Sequence, residues 1–339
     1  MKRNQSILLA FVFGGALAAS AAQAGKADDK QQSVSPDYLQ AGGTRKFSIE
    51  YVGQVQNIPA GTRKVRVWMP APQSSTVQTI KQLQFAPKAF LTIEPKYLNL
   101  IAYWEFVNPP SSIRLKMSFI CTRRETRADL QSLAADGQEA AGKFDVYKKP
   151  DRLVIVDEEI RQLARAATAG QSNTLGKARA IYSYVLNKMS YDKNHDGWGQ
   201  GSTRHAREVW KGNCTDFHAL FNSLCRAEGI ASGFEIGLYL PYQAHQAEAL
   251  DAYHCWAFFR VPGKTWVPVD CAEGALYAER REYFFGNHSA NRVTLSTGRD
   301  LILEPRPAGP PLNYFVDPYA EADGQTVPTE KNWTFRDLD

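Results

Sequence analysis

The stretch Lys211–Ile230, KGNCTDFHALFNSLCRAEGI, decides how the rest of the chain is read. Phe217, Leu220, Phe221 and Leu224 make one apolar stripe at helical spacing, and Cys214, His218, Phe221 and Cys225 make an overlapping one. With apolar or small residues around so much of its circumference, the segment is predicted to be a central, buried helix that stops near Gly229. Its first residue is then Cys214. A thiol there lies beside unsatisfied backbone N–H groups and the positive end of the helix dipole, and both favour the thiolate. Taken alone, Cys214 reads equally as a small buried hydrophobe or half of a disulfide.

Downstream, SGFEIGLYLP, YHCWAFFRV and TWVPVDCA read as strands, the last two joined by a PGK turn. Pairing Val261 with Thr265 places His254 opposite Ala272 and Asp270 opposite Trp256. His254 and Asp270 then become diagonal neighbours on one face. A one-residue slip would send them to opposite faces. The favourable register supplies what a cysteine nucleophile needs, a base and a carboxylate that holds the imidazole in the right tautomer. In that register Cys255 opposes Cys271 on the other face, where a disulfide demands particular geometry. Cys225 reads as core. With Cys121 these make five cysteines, an odd count that leaves at least one thiol unpaired.

At these residues the chain resembles the transglutaminase-like superfamily. GNCTDFHALFNSLCRAEGI, YHCWAFF and TWVPVDCAEGA are similar to its three core motifs, and the resemblance covers about residues 175–275. It implies an α+β fold: a papain-like core, with a central helix packed on an antiparallel sheet, preceded by a small β-sandwich. It further implies a Cys-His-Asp triad with Cys214 as nucleophile, His254 as general base and acid, and Asp270 as the orienting carboxylate. GIASG stands here where the family often has GIPAR, so an arginine usual there is missing, which bears on substrate recognition. The backbone N–H of Cys214 is one natural oxyanion donor; Tyr191 and Trp210 are the side chains considered for a second, each also readable as a packing aromatic. His218 is a rival base one turn after Cys214, with no evident partner to orient it.

The remaining chain organises around this core. From about Lys46 to Arg124 the alternation of Phe47, Ile49 and Tyr51, of Val65, Val67 and Met69, and of Ile113, Leu115, Met117 and Phe119 marks strands with one buried face. Residues 44–125 are therefore expected as the β-sandwich and 126–156 as a connector. Residues 157–320 are expected as the catalytic domain and 321–339 as a C-terminal tail. DEEIRQLARAATAG and NTLGKARAIYSYVLNKM read as two helices. The loop DKNHDGWG starts like a calcium loop at Asp192, Asn194, Asp196 and Gly197, but its twelfth place is Thr203, where a bidentate Glu is needed. Cys214 and His218 share a helix face, yet too few further ligands sit at zinc spacing. No metal and no cofactor is expected. REYFFGNHSANRV and LNYFVDPYAEADG are expected to pack on the core as short strands and loops.

The first 24 residues read as a secretory signal: Lys2 and Arg3, the apolar run ILLAFVFGGALAA, and a cleavage pattern at Ala22-Gln23-Ala24. GKADDKQQSVSPD beyond it reads as a disordered lead-in, residues 25–43. Cleavage takes two positive charges from the formal +5 and leaves 315 of the 339 residues, enough for two domains. So mild a balance argues against a nucleic-acid partner. The expected protein is periplasmic or secreted and not inserted in the membrane after cleavage. Its expected activity is acyl transfer at an amide or peptide bond through a thioester, with hydrolysis favoured over crosslinking. A peptide or protein, cell-wall peptide included, is the expected substrate. The competing reading is a non-catalytic peptide-binding module that keeps the same cleft. An arylamine acetyltransferase would need cytosolic acetyl-CoA, which conflicts with export.

Overall fold

The computed structural model describes residues 43–241, 247–250 and 253–338. The expected signal (1–24) and the lead-in up to residue 42 lie outside the described residues. Period-two alternation builds two five-stranded sheets. One contains β1 (Thr44–Val55), β3 (Gln78–Ala86), β6 (Ile113–Arg124), β11 (Glu248–Leu250) and β18 (Thr329–Asp337), in the order β11-β18-β1-β6-β3. The other contains β2 (Lys64–Pro70), β4 (Phe90–Ile93), β5 (Leu100–Val107), β16 (Tyr319–Ala322) and β17 (Gln325–Val327), in the order β17-β16-β2-β5-β4. Phe47, Ile49, Tyr51, Val65, Val67, Met69, Trp104, Leu115, Met117 and Phe119 are buried in one apolar core. Removal of such side chains from water contributes about 1.5–3 kcal/mol each. Gly53 allows the close approach of β1 to β2: a Cβ there would sit 2.9 Å from Met69 Sδ.

The C-terminal residues correct the expected tail. Residues 319–337 form β16, β17 and β18, and β18 lies inside its sheet, with Trp333 paired to Tyr51 of β1 on one side and to Leu250 of β11 on the other. The segment TEKNWTFRD keeps the alternation of a half-buried strand, and Trp333 and Phe335 close the core.

The second half is organised by a helix. α1 (Glu158–Ala167) starts at Asp157, whose carboxylate accepts from the Ile160 N–H, and α2 (Thr174–Lys188) starts at Asn173, which accepts from Gly176. Both expected helices are present, and Ala178, Ile181, Tyr182 and Val185 face the core. α3 (Thr203–Val209) and α4 (Cys214–Ala227) follow. Every residue of α4 from Cys214 to Arg226 is buried. Its polar side chains must then find partners inside the protein. Asn222 donates to Gly233 O (3.2 Å), Ser223 to Ile155 O (2.7 Å), and Arg226 pairs with Asp151 (2.6 Å). Gly229, at φ +73°, takes the left-handed position beyond the helix end.

α4 packs on a four-stranded antiparallel sheet of β10 (Ser232–Tyr239), β12 (Tyr253–Arg260), β13 (Trp266–Val269) and β15 (Arg292–Thr297), ordered β13-β12-β10-β15. β12 and β13 adopt the expected register, Ala257 opposite Val269 and Arg260 opposite Trp266. The strand ends at Val269, three residues short of the expected Ala272. Asp270 is the N-cap of a short helix, α5 (Cys271–Leu276), because its carboxylate accepts from the Glu273 N–H (3.0 Å) and turns the chain. Asp270 and Cys271 therefore do not oppose Trp256 and Cys255 across a ladder. Two small pairs complete the described strands: β7 (Thr126–Arg127) with β14 (Asn287–His288), and β8 (Ser190–Tyr191) with β9 (Lys211–Gly212).

Candidate active site

Cys214 is the first residue of α4, two per cent exposed, directly after the N-cap Asn213. The local sequence NCTD makes a reciprocal cap: the Asn213 side chain accepts from Thr215 N (3.0 Å) and the Asp216 carboxylate accepts from Asn213 N (3.0 Å). Asp216 also accepts from the N–H groups of Gly199 (2.7 Å) and Gly201 (2.8 Å). Both glycines have positive φ, +79° and +62°, a conformation that suits glycine and turns their N–H groups onto one carboxylate. Asp216 thus ties the loop before α3 to the start of the cysteine helix. Sequence reasoning did not single it out, although the N-x-x-D pattern signals a cap.

The three residues singled out as a triad come together. His254 on β12 places Nε2 2.7 Å from Asp270 Oδ2, which leaves its other ring nitrogen for the Cys214 thiol, to which His254 is also hydrogen-bonded. Burial disfavours a charged His254, but the charge of Asp270, its hydrogen bond and that of Cys214 outweigh this and push the imidazole up to about 10. The Cys214 thiol is held well below its usual range, first by a hydrogen bond from Cys255 and, against the cost of burial, by its hydrogen bond to His254. Both shifts favour the thiolate and imidazolium forms of the pair. Asp270 stays ionised despite complete burial, because His254 and Arg292 face it.

Arg292, on β15, is the site residue for which the sequence gives no signal. It is fully buried, with Nη1 2.8 Å from Asp270 Oδ2, and its guanidinium lies 5.0 Å from the ring centroids of both Tyr239 and Trp256. Glu273 is buried beside Asp270; burial and that neighbouring charge push its carboxyl up to about 7. His218 is not placed as the rival base. Its Nε2 accepts from the Cys271 N–H (2.9 Å) and its Nδ1 lies 3.6 Å from Cys255 Sγ. Burial pushes it down to about 4, so the ring is neutral.

The two aromatic candidates separate. Tyr191 packs on Phe217 of α4 (6.2 Å between ring centroids), and its hydroxyl is raised by burial and by the charge of Cys214. Trp210 packs on Tyr184 instead (6.3 Å). In the loop at 192–203, Asp192 accepts from Asn194 N (2.7 Å) and pairs with Lys211 (3.3 Å). Thr203 is buried, its hydroxyl 2.6 Å from that of Ser223, so the twelfth place is part of the core. All five cysteines are free and buried. No helix among the described residues is long and apolar enough to cross a membrane.

The chain is similar to several known proteins. A Haemophilus influenzae protein of uncharacterised function is 27% identical over 315 residues, covering 80% of this chain and 84% of its own. A candidate cysteine protease from Cytophaga hutchinsonii shares the fold at a TM-score of 0.59 and 14% identity, covering 88% of this chain and 92% of its own. The periplasmic domain of TgpA from Pseudomonas aeruginosa aligns at a TM-score of 0.36 and 14% identity, over 68% of this chain and 78% of its own. The family model described as Transglutaminase-like superfamily matches residues 161–271, a span that holds α4, His254 and Asp270. Residues 161–271 thus match a transglutaminase-like core.

Proposed function

We propose that the protein is an exported cysteine enzyme that transfers acyl groups from amide or peptide bonds, with Cys214, His254 and Asp270 as its triad. The convergence of the Cys214 thiol, the His254 ring and the Asp270 carboxylate at the start of α4 carries this reading. The thiolate attacks the carbonyl carbon, and the oxyanion that forms lies by the N–H groups of the first turn, with the Tyr191 hydroxyl as second donor. The His254 imidazolium then gives its proton to the leaving amine, and a thioester remains on Cys214. Neutral His254 next draws a proton from water, which cleaves the thioester and regenerates the thiolate and imidazolium. Asp270 holds the ring in the required tautomer throughout. Hydrolysis is the favoured outcome because water is abundant in the periplasm, and a peptide or protein is the substrate class. The signal-like residues 1–24 support that location.

Replacing Cys214 by Ala should abolish labelling by an acyl-thioester-forming probe while leaving the thermal transition in place. Labelling that persists in the variant would sink the assignment. Peptide binding without any labelling of the wild-type protein would identify a binding groove instead.

A further inference from the structure

Cys255 and His218 lie beside the nucleophile and have no part in the mechanism above. Both are fully buried. His218 Nε2 accepts a hydrogen bond from the backbone N–H of Cys271 at 2.9 Å, so its lone pair is in use and the neutral ring carries its proton on Nδ1. That nitrogen is 3.6 Å from Cys255 Sγ, within reach of a sulfur acceptor. Cys255 Sγ therefore accepts a hydrogen bond from the His218 ring, which also bonds the Cys214 backbone, and keeps its own S–H to give. The thiol it gives to is Cys214, with which it is hydrogen-bonded.

The geometry points to a relay that runs from Cys271 N–H to His218, from His218 to Cys255, and from the Cys255 S–H to the sulfur of Cys214. Cys255 and His218 are thus positioning residues that supply the nucleophilic thiolate with a hydrogen bond no water can provide. The inference rests on the reading of Cys214 as nucleophile. It explains why a second thiol is kept reduced beside the first: only an S–H can donate, and a disulfide could not. The chain needs such a donor because a thiolate two per cent exposed has lost nearly all its solvent. Burial alone raises the Cys255 thiol, and the neighbouring Cys214 raises it further, so Cys255 remains the protonated partner.

The test is the pH dependence of Cys214 alkylation by iodoacetamide, read by mass spectrometry at that residue. The other titratable groups facing the thiol are His254 on β12, His218 and Asp216 on its own helix, Tyr191 on β8, and Tyr253 and Tyr314. Of these, His218 touches Cys255 directly and Tyr191 and Tyr253 feel its charge, so a serine variant, which keeps a donor at position 255, is the control for them. Cys255→Ala should move the acid limb of the profile up by about half a unit to one unit, the effect of removing one weak donor from the charged form. That is roughly three- to ten-fold slower alkylation at a pH below the limb. Cys255→Ser keeps a donor and should hold the limb near its wild-type position. An Ala variant with an unmoved limb, or a Ser variant that follows the Ala variant, overturns the relay. Should Cys255→Ala fail to fold, infrared spectra of the wild-type protein decide: alkylation of Cys214 should shift an S–H stretching band upward, and no shift overturns the relay. No alkylation of wild-type Cys214 at any pH overturns the catalytic reading itself.

Discussion

The sandwich and the layer around α4 are buried to the same degree and are chemically opposite. Between β1, β6, β2 and β5 the core is Phe47, Tyr51, Val67, Met69, Trp104 and Met117; around α4 it holds Cys214, His218, His254, Asp270, Glu273 and Arg292. An apolar core is stabilised atom by atom, so loss of one side chain costs its transfer free energy plus the cavity left behind, and no neighbour changes its charge. A buried polar core is a closed set of donors and acceptors, in which each member holds the charge state of the next. Asp270 illustrates this. Its Oδ2 meets both His254 and Arg292, and its Oδ1 caps α5 through the Glu273 N–H. Removing it would alter the His254 proton, an ion pair and a helix start at once.

The largest test of the contrast is therefore Asp270→Asn. General acid–base function by His254 depends on the carboxylate, and the probe-acylation rate should fall by roughly a hundred- to ten-thousand-fold. The sign with pH is also fixed. Chemistry needs protonated His254, which burial lowers and Asp270 raises to about 10, so the wild-type rate should hold to that region and fall above it. Without the negative charge the imidazolium is less favoured, and the alkaline limb should move to lower pH. A limb that stays in place in the Asn variant would mean that Asp270 does not set the state of His254.

The contrast sharpens when one buried side chain is removed from each region. Arg292→Leu removes one of the two charge partners that face buried Asp270 and should cost about 3–5 kcal/mol of stability. Met117→Ala should cost about 2–5 kcal/mol by transfer and cavity formation. Denaturant unfolding can give similar losses for the two, while Cys214 alkylation separates them: its pH profile should move for Arg292→Leu and stay unchanged for Met117→Ala. Equal profiles would erase the distinction drawn between the regions.

The smallest effect belongs to the sandwich surface. Glu50 and Lys116 form an ion pair whose side chains are 41% and 45% exposed. Glu50→Gln should change the unfolding free energy by less than about 1 kcal/mol, since water already solvates both charges. A loss comparable to that for Arg292→Leu would show that burial is not what separates the two pairs.

What the sequence reveals follows the reach of its local signals. Period two marks Phe47, Ile49 and Tyr51 as the inner face of β1, and helical spacing marks α4, because both patterns are complete within a dozen residues. The hairpin register between β12 and β13 is equally local, fixed by the turn at Pro262 and Gly263. Asp270 was found near His254 but reached it differently, because its capping bond to Glu273 ended the strand. Arg292 was not legible: an arginine in a strand ordinarily lies at the surface, and only the folded sheet brings it to Asp270. Nor was the place of β18, whose partner in the pairing of Phe47 with Asp337 is almost a whole chain away.

That last pairing has a consequence for how the molecule is made. β1 is among the first described segments to emerge during synthesis and β18 the last, yet they share a ladder of backbone hydrogen bonds. Until Thr329–Asp337 arrives, one side of β1 is an open strand edge, the kind of surface on which chains join one another by mistake. Assembly from front to back is therefore closed to this sandwich. Its two halves must find each other across the intervening helical layer, and a ribosome that stalls before Thr329 leaves a sheet with a missing rib.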